Sequence, residues 1–325
     1  MNILFCSAGR RCELLKDFRK TMGEYGKIIA VDNSPYAPAI YIADTHYLVP
    51  RIDEPNYIDG LLTICRKEQI DVITTLIDPE IIVLAQHRLK FEELGVEVLA
   101  PLEATARLCF DKFKLYQHLK KHKIPTTLTF GDLPSFEEAY GNKIIQFPVF
   151  IKPRMGSGSV GVQKIESMYE LKEKMRENPS LIIQEFMGDA LDIDVDIYVD
   201  TITKQMVSAF SKYKLEKKLG GASKTSSFYD PKLVEFVRGV LEVLQFNGPV
   251  DMDLWYQNGQ YYLSEINPRF GGAYLHAYGA GVDFVSLIEN NVNGIANKPR
   301  FGNYEEDVVM MMYDSVVIQK IIKPL

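Results

Sequence analysis

The stretch SEINPRFGG, Ser264 to Gly272, sets Glu265, Asn267 and Arg269 at alternate positions, breaks after them at Pro268, and ends on two glycines. Alternate residues of a strand share a face, so the row reads carboxylate, amide, guanidinium. A solvated strand has little use for that set. Just upstream, VDMDLWYQNGQYY (Val250 to Tyr262) supplies Asp251 and Asp253 and a turn signal at Asn258-Gly259. A two-residue turn would pair Asp253 with Ser264 and send Glu265 to the opposite face. A three-residue loop, Gln257 to Gly259, would pair Asp251 with Glu265 and leave Asp253 diagonal on the same face. The second register predicts an all-oxygen Mg²⁺ site of two carboxylates and an amide from the set Asp251, Asp253, Glu265 and Asn267, because acids set opposite one another repel unless a cation lies between them. Arg269, beyond the proline, would project beside that metal toward transferring phosphate charge.

Working outward, KPRMGSGSVG (Lys152 to Gly161) has the spacing G-x-G-x-x-G at Gly156, Gly158 and Gly161. The dinucleotide fingerprint of that form must open a helix, whereas VGVQKI alternates as a strand does. No Gly-Lys-Ser/Thr follows, so this is not a Walker A loop. It reads as a glycine-rich turn between strands whose backbone N–H groups, with Ser157 and Ser159, approach phosphate oxygens closely, while Lys152 adds a point charge. In SLIIQEFMGDALDIDVD, Asp192, Asp194 and Asp196 share one face; the ordinary reading of such a row is a solvated edge strand. QEFM ends a short strand and offers backbone groups and apolar contact to a planar base.

The 325 residues suggest about two domains, with 46% apolar and 25% charged residues as in ordinary globular proteins. A net charge of −6 argues against a nucleic-acid partner. The four cysteines form no CxxC pair, which points to neither a zinc site nor a disulfide framework. NILFC at the start is too short for a signal segment, and no run approaches the length of a membrane span. The expectation is a cytoplasmic protein with no membrane partner. Strands NILFC, KIIAVD, THYLVP, IDVITTLID and VEVLAP alternate with helices CELLKDFRKTM, YIDGLLTICRKEQ and PEIIVLAQHRLKFEEL. This predicts a doubly wound parallel α/β sheet over residues 1–100, with ligands at Ser7 to Arg11, Asp32 and Thr75 to Glu80. Later strands FPVFIKP, VGVQKI, SLIIQEFM and LDIDVDIYVD mix with helices, predicting α+β lobes over 101–187 and 188–325.

With DK at Asp111-Lys112, then FIKPRMGSGSVGV, IIQEFMGD and SEINPRFGG in that order, the chain resembles the ATP-grasp superfamily, nearest the carbamoyl-phosphate synthase large chain. The resemblance implies a pre-ATP-grasp domain followed by one bilobed grasp unit. It implies Lys112 and Lys152 as ATP phosphate ligands beneath a flap from Gly156 to Gly161, and Glu185, Phe186 and Met187 as the adenine hinge. Asp192 would stand in for the family's ribose acid, Asp253 for its usual glutamine at the first metal position, and Arg269 would steady the transition state. Mg²⁺, or Mn²⁺ in its place, is implied with ATP. The implied reaction turns a small carboxylate into an acyl phosphate and couples it to an amine or similar nucleophile. A synthase large-chain-like subunit and an ATP-binding regulator without turnover are the alternatives, and a homodimer is compatible with both. Substrate choice is expected in loops around Arg10, Asp78, Glu80 and Gly271.

Overall fold

The computed structural model describes residues 1–156, 161–218 and 221–321. Five short strands, Asn2–Cys6 (β1), Lys27–Asp32 (β2), Thr45–Leu48 (β3), Val72–Thr75 (β4) and Glu97–Val98 (β5), pair in parallel in the order β3-β2-β1-β4-β5. The near-continuous burial of β1, β2 and β4 follows from helices on both faces. One face packs on helices Tyr57–Glu68 and Asp78–Gln86 through Leu4, Ile29, Ile73, Leu61 and Leu84. The sequence predicts one long helix from Pro79, but it is split at His87 into Asp78–Gln86 and Arg88–Glu92. There the Arg88 guanidinium donates to the carbonyls of Val98, Ala100 and Pro101. The strand order reverses between β1 and β4, so the crevice at their carboxyl ends is the topological switch point.

A four-stranded antiparallel sheet follows, β6 (Thr129–Phe130), β7 (Val149–Pro153), β8 (Gln163–Ile165) and β9 (Leu181–Glu185), ordered β6-β9-β7-β8. Helices Leu133–Gly141 and Met168–Glu177 cover one face with Phe136, Leu171 and Met175. A six-stranded sheet completes the fold: β10 (Leu191–Val199), β11 (Met206–Lys218), β12 (Gly221–Phe228), β13 (Gly248–Gln257), β14 (Gln260–Asn267) and β15 (Val309–Met311), ordered β14-β13-β10-β11-β12-β15. Helix Pro231–Val243 lies on its apolar face, capped by Asp230 and burying Leu233, Val237 and Val240 against Val195, Ile197 and Leu254. Each fully buried Leu or Val there contributes roughly 1.5–3 kcal/mol.

β11 and β12 were not foreseen from the sequence. Their inward face carries Ser208, Lys212, Thr225 and Ser227, all buried, so hydrophobic alternation is weak where the sheet faces polar groups. The remaining face of the parallel sheet is closed from afar: Phe5 and Phe18 share one cluster with Phe210, Phe270, Tyr274 and Phe284. Residues 1–100 therefore do not complete their own core, and the segment after SEINPRFGG is packed directly on β1 and its helix.

Candidate functional site

The opening hairpin has a register that neither sequence alternative contains. Its turn is the two-residue Asn258-Gly259, with φ of 52° and 80°, and Gln257 pairs with Gln260 through to Leu254 with Leu263. The register then shifts by one, leaving Ser264 as a bulge, and resumes with Asp253 opposite Glu265 and Asp251 opposite Asn267. The expected three-residue loop is thus corrected to a tight turn plus a bulge. The bulge returns Glu265 to the face of Asp253 and sets the two directly across from each other rather than on a diagonal.

Lys112 reaches this face because Asp111 caps helix Lys112–Lys121. Its carboxylate accepts from Lys114 N at 3.1 Å and takes a forked pair from Arg154 at 2.7 and 2.8 Å. Burial alone would raise the Asp111 pKa, but Arg154 and the cap bond outweigh it and hold the carboxyl below its ordinary range. The Lys112 ammonium lies 3.3 Å from Glu265 Oε1 and donates to the Gly156 carbonyl. Lys152, on β7, is buried, and its pKa is lowered by that burial against the opposing pull of Glu265.

Lys112, Lys152, Gly156, Asp192, Asp253, Glu265, Asn267 and Arg269 all line one cleft of about 570 Å³. Gly156 and Gly161 hold φ of 115° and 76°, open to glycine alone at little cost. Ser157, Gly158 and Ser159 lie outside the described residues. Glu185, Phe186 and Met187 do not line the cleft, and Phe186 packs on Phe150 at 5.1 Å between ring centres. Gln184 next to them, with Phe150, Val162, Leu254 and Trp255, is part of the lining. Asp192 does line it, held by Lys214 at 3.2 Å and by Lys217.

The acid row of β10 is not a solvated edge, which corrects the ordinary reading. β10 is central in its sheet, and Asp194 and Asp196 are buried against Lys212, which is itself fully buried and 2.8 Å from Asp194. Burial would raise the pKa of Asp194, but Lys212 and Lys214 overcome it and lower it. Asp196 is pushed up to about 6 by burial, with Lys212 opposing. Asp194, Asp196 and Asp251 bring carboxylate oxygens within 4.8 Å of one another, with the Lys212 ammonium bonded to the first two. Lys214 in turn pairs with Asp253. Sequence reasoning missed both lysines; the signal was their alternation, Lys212-Tyr213-Lys214, across from Asp192-Ile193-Asp194.

The crevice end of the cleft comes from the parallel sheet. Asp78, at the start of its helix, holds Arg269 at 2.9 and 3.1 Å, and Asp251 stands 3.6 Å from the same guanidinium. Arg11 donates to Gly271 O at 2.5 Å and to Phe270 O at 3.4 Å. Arg10, Arg11 and Asp78 line the cleft as the loop reading expects, but Glu80 is buried behind it, accepting from Tyr57 and Thr75. Burial pushes the Glu80 carboxyl up to about 8.

The donor set suits a hard divalent cation. Among the described residues Asp253 Oδ2, Glu265 Oε2 and Asn267 Oδ1 make no hydrogen bond, while Asn267 Nδ2 is turned away onto Asp251 at 3.2 Å.

Comparison with known proteins agrees with this geometry. Residues 3–99 match the model of the PylC-like N-terminal domain and residues 109–273, about half the chain, match that of the ATP-grasp domain. The formate-dependent phosphoribosylglycinamide formyltransferase of Sulfolobus acidocaldarius is 28% identical over 200 residues, covering 58% of this chain and 48% of the relative. A carbamoyl-phosphate synthase of Methanobrevibacter smithii is 25% identical over 318 residues, covering 90% and 81%. The chain spans about half the length of the formyltransferase relatives it matches. Among solved structures, N5-carboxyaminoimidazole synthetase from Staphylococcus aureus, complexed with ADP, superimposes with a TM-score of 0.72 at 18% identity, over 92% of this chain and 79% of that one. With a switch-point sheet, a hairpin of facing acids and two lysines converging on it, the chain belongs to the ATP-grasp family.

Proposed function

We propose that the protein is an ATP- and Mg²⁺-dependent ligase that activates a small carboxylate as an acyl phosphate and couples it to an amine or similar nucleophile. The observation that carries this reading is the convergence of Lys112, Lys152, Asp253, Glu265, Asn267 and Arg269 in one cleft. In the proposed reaction a carboxylate oxygen attacks the γ-phosphorus and the bond to ADP breaks. The amine lone pair then attacks the acyl carbon, phosphate leaves, and the nitrogen loses a proton. No side chain forms a covalent bond, so the chain's work is positioning and charge stabilisation.

Each residue has a stated part. Phe150, Val162 and Trp255 would sandwich the base, with Asp192 toward the ribose. Lys152, whose ammonium is buried, and Lys112 would hold phosphate oxygens, both with Glu265 as counter-charge. Asp253, Glu265 and Asn267 would hold Mg²⁺, which when bound neutralises phosphate charge. Arg269, fixed by Asp78, would meet the equatorial oxygens of the transferring group. ADP release against a panel of small carboxylates and amines, with mass spectrometry of the product, tests the proposal. Mg·ATP binding with no carboxylate-dependent ADP release from any pair would count against turnover.

A further inference from the structure

Beyond the phosphate groups the cleft continues to an end walled by Arg10, Arg11, Leu76, Ile77, Asp78, Arg269 and Gly272. Three guanidiniums meet there against two carboxylates, Asp78 and Asp251. Arg269 faces both, binding Asp78 at 2.9 Å and standing 3.6 Å from Asp251 Oδ2, while Asp251 Oδ1 makes no hydrogen bond among the described residues. Arg11 is spent on two loop carbonyls. Arg10 makes no hydrogen bond or ion pair among the described residues and stands exposed at the cleft wall. The neighbouring Arg11 guanidinium is pushed down to about 10, first by burial and then by the positive charge of Arg269, with Arg10 adding to it. The helix Cys12–Met22 begins here with no side chain capping its first N–H groups, so its positive end adds to the same field. An ammonium group entering this end would meet three guanidiniums and, of the acids, only the unpaired Oδ1 of Asp251. A second anion would find an unengaged guanidinium.

We propose that this end of the cleft binds a second anionic group of the substrate, so that the acid activated by the enzyme is a dianion, with one carboxylate beside Arg269 and a carboxylate or phosphate on Arg10. The inference rests on the ligase reading and names its substrate class. Leu76 and Ile77, which line the same cleft, favour a short apolar spacer.

The test uses the full chain saturated with Mg²⁺ and a non-hydrolysable ATP analogue, titrated calorimetrically with succinate, phosphoglycolate and acetate. The expected result is tighter binding of at least one dianion than of acetate, and a loss of about 10- to 100-fold for that dianion in Arg10→Ala, as for a charge-assisted hydrogen bond. Arg10→Lys should keep part of the affinity. A preference for succinate identifies a dicarboxylate, one for phosphoglycolate a phosphorylated acid. Wild-type protein that binds all three alike, binds none, or binds a dianion as well after Arg10→Ala overturns the inference. Failure of the nucleotide analogue itself to bind would instead overturn the ligase reading.

Discussion

Replacing Gly271 by alanine should disturb the cleft more than its size suggests. A Cβ at Gly271 would stand 2.6 Å from Asp251 Oδ1 and 2.7 Å from Asp196 Oδ1, where ordinary contact begins at 3.4 Å. Neither carboxylate can retreat easily: Asp196 is bonded to Lys212, and Asp251 is tied to Asn267 at 3.2 Å and faces Arg269 at 3.6 Å. The loop must therefore move by several tenths of an ångström, and overpacking of this kind costs about 1–3 kcal/mol. By the usual scaling with chain length that is a fall of roughly 1.5–4.5 °C in melting temperature. The same displacement pulls on Arg269, two residues upstream, so turnover should fall further than stability alone explains. Gly272→Ala is the internal control, because its Cβ meets only Arg11 Nη1, at 3.9 Å. Thermal melts of both variants, with ADP release alongside, decide the matter. Gly271→Ala melting with the wild type would refute the steric argument.

Glu265→Gln should weaken Mg·ATP binding in calorimetry by at least 10-fold, since it removes one of two facing carboxylates while leaving the hairpin intact. Arg269→Lys should lower kcat steeply with nucleotide affinity little changed, because lysine keeps the charge but not the fork; a change in ATP affinity alone would make Arg269 a ground-state anchor. For Glu80 the folded-state pKa, about 8, lies above the ordinary 4.5. Its stabilising contribution is therefore complete below pH 4.5 and lost as pH rises through 8. Melting temperature should fall from pH 5 to 8.5 in the wild type and fall less in Glu80→Gln.

Much of this was legible because function and strand geometry use the same period. Glu265, Asn267 and Arg269 could be read as one row since their spacing of two is both the pleat and the site. Lys112 was legible for a different reason: Asp111 is a recognisable cap, and the cap sets the lysine at the first helical position. The register was not legible, because the Ser264 bulge carries no sequence signal; serine at a bulge looks like serine in a strand. The buried Lys212 and half-buried Lys214 were illegible because charged residues in alternation read as a wet face unless their partners on β10 are known to be central. Asp78 could be placed near the ligand edge, but its partner Arg269 lies 191 residues away in the chain, and no local pattern joins them.

The bulge at Ser264 gives the hairpin a parity. Between the Asn258-Gly259 turn and the acid pair the two arms differ by one residue, and that odd count brings Glu265 onto the face of Asp253. Straightening the bulge at constant length would pair Ser264 with Asp253 and turn Glu265 and Asn267 toward helix Pro231–Val243, into an apolar layer, whereas deleting Ser264 itself would make the arms equal and leave Glu265 opposite Asp253 in a regular ladder. Removing one residue from each arm beside the turn changes the hairpin's length but not its parity. Length changes that keep the acid pair facing are therefore matched pairs of residues at the turn or loss of the bulged residue itself.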